Sequence, residues 1–123
     1  MEYSEIFKAL SNRTRLRAFY TLLQSKRELC ICEIMDSVGI RAYNASRCMK
    51  ELKVAGLVTE RKEGRWVFYK VNDMPDKFLK MTCGLISSLP QEEFKEDLSR
   101  FKKRMSLRQF GKCVIGMKNS CCK

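Results

Sequence analysis

Seven cysteines and no histidine define the chemistry open to this chain. Cys30 and Cys32 stand one residue apart in Glu28-Leu29-Cys30-Ile31-Cys32-Glu33-Ile34, and Cys121 and Cys122 are adjacent near the C-terminus. Without imidazole there is no histidine acid/base, no nucleophile-histidine pair and no histidine zinc site, so sulfur chemistry remains: soft-ion capture, thiol exchange and oxidation. A lone cysteine is often a small apolar core filler. Two with a single spacer, flanked by Leu29, Ile31 and Ile34 where a helix begins, fit a ligand pair better, because thiolates at a helix N-terminus have lowered pKa and bind soft ions. Residues two apart on an ideal helix lie about 200° apart, whereas in an extended segment they share a face. By that geometry both sulfurs reach one ion only where the turn around them is not helical, so capture and a regular first turn are expected to exclude each other.

The elements that must position this pair follow directly. Cys32 to Val38 is a short helical pattern stopped at Gly39, and Ala42 to Ala55 a longer one stopped at Gly56, each glycine sitting where a helix C′ residue turns to positive φ. Two helices joined by a tight glycine-containing turn are the helix-turn-helix signature. In the second helix Ala45, Met49 and Leu52 form the inward stripe, while Tyr43, Asn44, Arg47, Lys50 and Lys53 project from the other side. A polar helix face alone signifies only solvent. The net charge of +11 and the hairpin that follows favour a polyanion, DNA. Leu57 to Lys62 and Arg65 to Val71 read as two strands meeting at Glu63-Gly64, with Val67, Tyr69 and Val71 on one face. Arg61, Lys62 and Arg65 crowd its tip, where cations reach phosphate or the minor groove; the alternative is a solubilised turn.

The rest of the chain reads as scaffold and tail. Ile6, Phe7 and Leu10 mark an opening helix; Ser11-Asn12 caps a second, about Arg13 to Gln24, with Leu16, Phe19, Tyr20 and Leu23 inward. Arg13, Arg15 and Arg17 are expected to be solvated more than bound to phosphate. Pro75-Asp76 starts a helix with the wide apolar stripe Phe78, Met81, Thr82, Leu85, Ile86 and Leu89, and Cys83 within it reads as a buried small residue. Gln91 to Met105 is a last helix whose Phe94, Leu98, Phe101 and Met105 form a seam suited to covering dimer helices. From Ser106 the periodicity weakens, and a mobile basic tail carrying Cys113, Cys121 and Cys122 is expected. The division is then 1–90 for the DNA-binding and dimerisation domain and 91–123 for the C-terminal helix and tail.

A chain of 123 residues suits one domain to which dimerisation would add stability. No apolar run approaches the ~20 residues of a membrane helix and Met1 to Leu10 is unlike a signal peptide, so the expected place is the cytoplasm, with no membrane partner. There the thiols stay reduced, and their odd number argues against a disulfide framework. No nucleophile or acid/base constellation and no phosphate loop is present, so an enzyme is not expected.

The segment Glu28 to Ile34 resembles the thiol metal-binding box of the ArsR/SmtB family of winged-helix repressors, and Asn44-Ala45-Ser46-Arg47, the Glu63-Gly64 hairpin and the opening Ala9 to Leu16 resemble the same family in the right order. The resemblance covers roughly residues 4 to 90. It implies a mainly α winged helix-turn-helix with a small β-hairpin, a homodimer that binds operator DNA and releases it on binding arsenite, antimonite, cadmium, lead or zinc. Its DNA contacts would be Tyr43, Asn44, Ser46, Arg47, Lys50, Lys53, Arg61, Lys62 and Arg65. Three positions depart from the family pattern: Met35 replaces the third thiol of arsenite-sensing boxes, Cys48 the usual histidine after Ser-Arg, and Arg41 the polar cap before the recognition helix. As(III) and Sb(III) prefer three thiolates, while Cd(II) and Pb(II) accept three or four, so Cys30 and Cys32 need another sulfur. Cys121 and Cys122 of either subunit are preferred over Cys48, with Cys113 a further tail thiol. The expected switch is unwinding of the first turn on ligation, shifting the two DNA heads out of register. Three alternatives stay open: a Cd/Pb-responsive repressor, a redox or persulfide sensor bridging Cys30 or Cys32 to the tail, and a cytosolic metal-buffering thiol protein.

Overall fold

A computed structural model describes residues 2–108. Helix α1 (Tyr3–Leu10) is followed by α2 (Arg13–Ser25), whose N-cap Asn12 accepts from the Arg15 N–H at 3.0 Å, satisfying one of the donors a helix start leaves open. Arg15 then reaches back, Nε donating to the Ala9 carbonyl at 2.8 Å. Strand β1 (Leu29–Cys30) leads straight into α3 (Ile31–Val38), then come α4 (Ala42–Val54), β2 (Val58–Glu63), β3 (Trp66–Val71), α5 (Lys77–Ser87), a 3-10 turn (Gln91–Phe94) and α6 (Lys95–Met105). Gly39 closes α3 at φ +73° and Gly64 turns the hairpin at φ +62°, left-handed conformations that a side chain disfavours.

The sheet has three antiparallel strands in the order β1-β3-β2. The hairpin β2/β3 is the one expected from the sequence. The third strand is an addition: Leu29 pairs with Tyr69 and Cys30 with Phe68, so the thiol box is hydrogen-bonded onto the wing. Phe19, Tyr20 and Leu22 of α2, Ile34 and Val38 of α3, and Met49 and Leu52 of α4 are all but fully buried together with Leu57 and Leu79. Each such side chain contributes about 1.5–3 kcal/mol by leaving water.

Helix α6 departs from expectation. It packs chiefly along α3 and, less, on α2. Phe94 stacks on Tyr20 with ring centroids 3.9 Å apart, Leu98, Phe101 and Met105 pack against the core, and polar contacts to α3 add to these. Asp97, 3% exposed, accepts from Arg17 and from Arg100. Both guanidiniums also donate to the end of α3, Arg17 to the Val38 carbonyl at 2.6 Å and Arg100 to the Ser37 carbonyl at 2.9 Å. These are carbonyls a helix end cannot satisfy by itself. One turn on, Arg104 Nε pairs with Asp36 at 2.7 Å. Arg15 and Arg17, expected to be solvated, are therefore staples between helices.

Helix α5 turns Leu79, Thr82 and Ile86 inward and leaves Met81 and Leu85 exposed. Phe78 meets the rings of Tyr3 and Phe7 from α1 at 4.8 and 5.9 Å, and those two are also exposed. Phe78, Met81 and Leu85 share a face by their i, i+3, i+7 spacing, so one apolar strip runs over α1 and α5.

Candidate thiol site and nucleic-acid interface

Cys30 closes β1 in an extended conformation (φ −80°, ψ 163°) and is the N-cap of α3, while Cys32 is the second residue of that helix. The bend between strand and helix brings the sulfurs together, Sγ to Sγ 3.0 Å, both wholly buried. This corrects the sequence expectation. The helix begins at Ile31, one residue before the expected Cys32, and Cys30 caps it, so the pair converges while the first turn of α3 stays regular, and the supposed conflict between convergence and helix does not arise.

Two groups the sequence reading did not single out surround the pair. Trp66 and Phe68 of β3 pack against the cluster formed by the two cysteines, and their rings lie 6.2 Å apart and nearly parallel. They occupy the strand face opposite Val67, Tyr69 and Val71, so the alternation that marked the strand also placed them. On the other side is Glu33, fully buried. Its carboxylate accepts from the Cys30 N–H at 3.0 Å and from Arg108, Nε at 2.7 Å and the neighbouring guanidinium nitrogen at 2.7 Å. Arg108 also donates to the Glu28 carbonyl at 2.8 Å. The signal for Glu33 was present: Cys30-x-x-Glu33 has the spacing of a capping box, with cysteine in place of serine.

Among the described residues no group of three or more Cys, Asp and Glu is arranged to hold a metal ion. The fit to a soft ion is therefore partial: two sulfurs converge, but only Cys30 is a free thiol, whereas Cys32 is disulfide-bonded, contrary to the expectation of reduced cysteines. A soft ion would need Cys32 reduced and a further ligand from elsewhere. Cys48 is 8% exposed on the inner side of α4, and burial pushes its thiol pKa up, against the thiolate that ligation needs. Cys83 is half-buried and its thiol is raised for the same reason. Cys113, Cys121 and Cys122 lie outside the described residues.

The outer side of α4 presents Tyr43, Asn44, Ser46, Arg47, Lys50 and Lys53, all exposed, with the Arg47 guanidinium 5.7 Å from the Tyr43 ring centroid. Ala45, Met49 and Leu52 are fully buried beneath them. Arg41 is the N-cap of α4 and makes no side-chain cap hydrogen bond. Lys62 and Arg65 are exposed at the hairpin tip. Arg61 is exposed too but engaged: Nε and a terminal nitrogen donate to Glu28 at 2.9 and 2.7 Å, and the other nitrogen to Glu63 at 3.1 Å. That bond holds the Glu28 carboxyl below the usual range.

No protein-family model matches the chain. An arsenic resistance transcriptional regulator of Pseudomonas putida is 38% identical over 68 residues, 55% of this chain and 58% of that protein. A cadmium resistance regulatory protein CadC homolog of Staphylococcus aureus is 36% identical over 73 residues, 59% of this chain and 60% of that one. This chain thus spans less than two thirds of either. An uncharacterized HTH-type transcriptional regulator of Methanocaldococcus jannaschii is 40% identical over 70 residues, covering 57% of this chain and 78% of that protein. In structure, the chain is similar to a homodimeric winged helix-turn-helix DNA-binding domain of Mycobacterium bovis, titled a possible ArsR-family regulator. The TM-score is 0.60 and the identity 27%, over 73% of this chain and 79% of that one. The chain belongs to the ArsR/SmtB family. Its relatives are named as transcriptional regulators and not as enzymes, and within the family's winged fold α3 and α4 are the helix-turn-helix and β2/β3 the wing. Among the described residues no helix is long and apolar enough to cross a membrane.

Proposed function

We propose that this ArsR/SmtB member is a homodimeric repressor that binds operator DNA through α4 and the wing and lets go when a thiophilic metal(loid), As(III) or Sb(III) first, is held by Cys30, Cys32 and a further thiol. The observation that carries this is the convergence of two buried sulfurs at a strand-helix junction that belongs to both the wing sheet and the helix-turn-helix. Tyr43, Asn44, Ser46, Arg47, Lys50 and Lys53, with Lys62 and Arg65, supply the DNA face. The P. putida arsenic regulator supports the arsenite assignment.

The tail supplies the missing sulfur in this reading. Arg108 bonds to Glu33 and to the Glu28 carbonyl, so the described residues end near Cys30 and Cys32. Cys113 follows five residues later, within about 18 Å of extended chain, and Cys121 and Cys122 within about 50 Å. By chain length a tail thiol of the same subunit, as well as one of the partner subunit, is within reach.

A second reading within the same fold is a Cd(II) or Pb(II) sensor, favoured by the likeness to the cadmium resistance homolog. The two are separated by a gel-shift titration on a selected operator with arsenite, antimonite, cadmium and lead under strong reductant. Release by arsenite or antimonite at the lowest concentration supports the first reading and release by cadmium or lead the second; no release by any of them removes both. Deleting residues 113–123 then tests the tail, because an undiminished response excludes tail ligation.

A further inference from the structure

We propose that Arg47 reads a guanine in the major groove of the operator, and that Tyr43 is the positioning residue that holds its guanidinium for that contact. This rests on the DNA-binding reading of α4 and adds what the helix recognises. Ala45, Cys48, Met49 and Leu52 are the buried side of α4. Opposite them, at i, i+4, i+7 and i+11, Tyr43, Arg47, Lys50 and Val54 form one exposed ridge, with Asn44 and Glu51 on one flank and Ser46 and Lys53 on the other. A helix about 10–12 Å across fills a major groove about 12 Å wide. The middle of its outer face then meets base edges, and its flanks meet the phosphate walls. Arg47 lies on that middle line and in the N-terminal half of α4, the part that a recognition helix sets against bases.

The state of the two side chains favours base reading over a phosphate contact. Arg15, Arg17, Arg61, Arg100, Arg104 and Arg108 all have their guanidiniums taken by carboxylates or carbonyls. Among the described residues none engages Arg47 in this way, and Glu51, one turn further along, makes no ion pair with it. Instead its guanidinium carbon lies 5.7 Å from the centroid of the Tyr43 ring, inside the ~6 Å range of a cation–π contact. A ring restrains a guanidinium without taking its N–H donors. The planar fork therefore stays available for the two acceptors, O6 and N7, that guanine presents in the major groove. Tyr43 is 70% exposed, so its ring fills no core. Lys50, on the same ridge, carries a point charge without a fork, and Lys53 is already paired with Glu60 at 3.3 Å.

The full-length protein selects its operator from a random duplex library, and each base pair of a half-site is then changed in turn. Affinities are read by fluorescence anisotropy over a range of salt for the parent, Arg47→Ala, Arg47→Lys, Tyr43→Leu and Tyr43→Phe. The parent is expected to lose about 5–150-fold when one particular G·C pair of the half-site is changed. Arg47→Ala flattens the preference at that pair to within about twofold and leaves the others in place. Arg47→Lys keeps the charge without the fork and does not restore it. Tyr43→Leu lowers the discrimination by about 2–5-fold, and Tyr43→Phe, which keeps the ring, recovers it. A loss for Arg47→Ala that is uniform across sequences, with a salt slope shallower by about 0.9, identifies a phosphate contact and overturns the proposal. Relaxation at an A·T pair overturns the guanine assignment, and full discrimination in Tyr43→Leu overturns the role of Tyr43. If the parent selects no sequence, the DNA-binding reading itself fails; a selective parent whose guanine preference survives Arg47→Ala sinks the base contact alone.

Discussion

At the scale of single residues the proposed function concentrates on sulfur. Replacing Cys30 or Cys32 by serine keeps a small side chain at the junction but removes a soft ligand, so operator binding is expected to persist within about threefold while arsenite no longer releases the DNA; gel shifts of both variants check this. Cys48→Ala is expected to leave the inducer response unchanged, because that thiol is buried and its pKa raised. The cysteines were legible from their types and spacing. Their geometry was not, because whether Cys30 lies inside a helix or caps it depends on a two-residue strand too short to show alternation. Glu33 and Arg108 were missed for another reason: each reads as an ordinary charge until the fold buries the carboxylate. The Glu28 carboxyl is held low by Arg61, so its contact is present above the unfolded value of about 4.3 and is lost as pH falls through the lower folded value. Glu28→Gln is accordingly expected to show a smaller drop in Tm than the parent between pH 5 and pH 3.

Among the elements, α3 is the most constrained, gripped at both ends. Arg108 meets the Glu33 carboxylate near its start, Arg104 meets Asp36 in its middle, and Arg100 and Arg17 take its terminal carbonyls. Leaving a buried carboxylate without its guanidinium costs about 3–5 kcal/mol. Arg108→Ala is thus expected to lower stability by about 3 kcal/mol, read by urea unfolding, with a larger effect than at an exposed pair such as Lys53 with Glu60. Helix extents were largely legible: Gly39 ends α3 where expected, and Ala45, Met49 and Leu52 are the buried stripe of α4. What escaped was the arginine side of the α6 docking, since a run of arginines along a helix ordinarily faces water, and here Asp97, Asp36 and the carbonyls of α3 draw it inward beside the apolar seam.

For the whole molecule, the proposed homodimer would couple assembly to DNA binding through its geometry. In the proposed homodimer, the exposed strip of Tyr3, Phe7, Met81 and Leu85 is the expected meeting surface, a reading supported by the M. bovis domain being homodimeric. Introducing Met81→Lys together with Leu85→Lys is expected to yield monomers by sedimentation. Operator affinity then falls by at least about 100-fold, since two linked heads gain 10²–10⁴ over one. The net charge of +11 makes every such affinity steeply dependent on salt, so comparisons hold only at matched ionic strength. The chain contains a single tryptophan, and it lies against the cluster of Cys30 and Cys32. All indole emission from the unlabelled protein therefore originates beside the proposed sensor, so intensity and wavelength can follow filling of the pocket in real time, in a stopped-flow cuvette and without a dye.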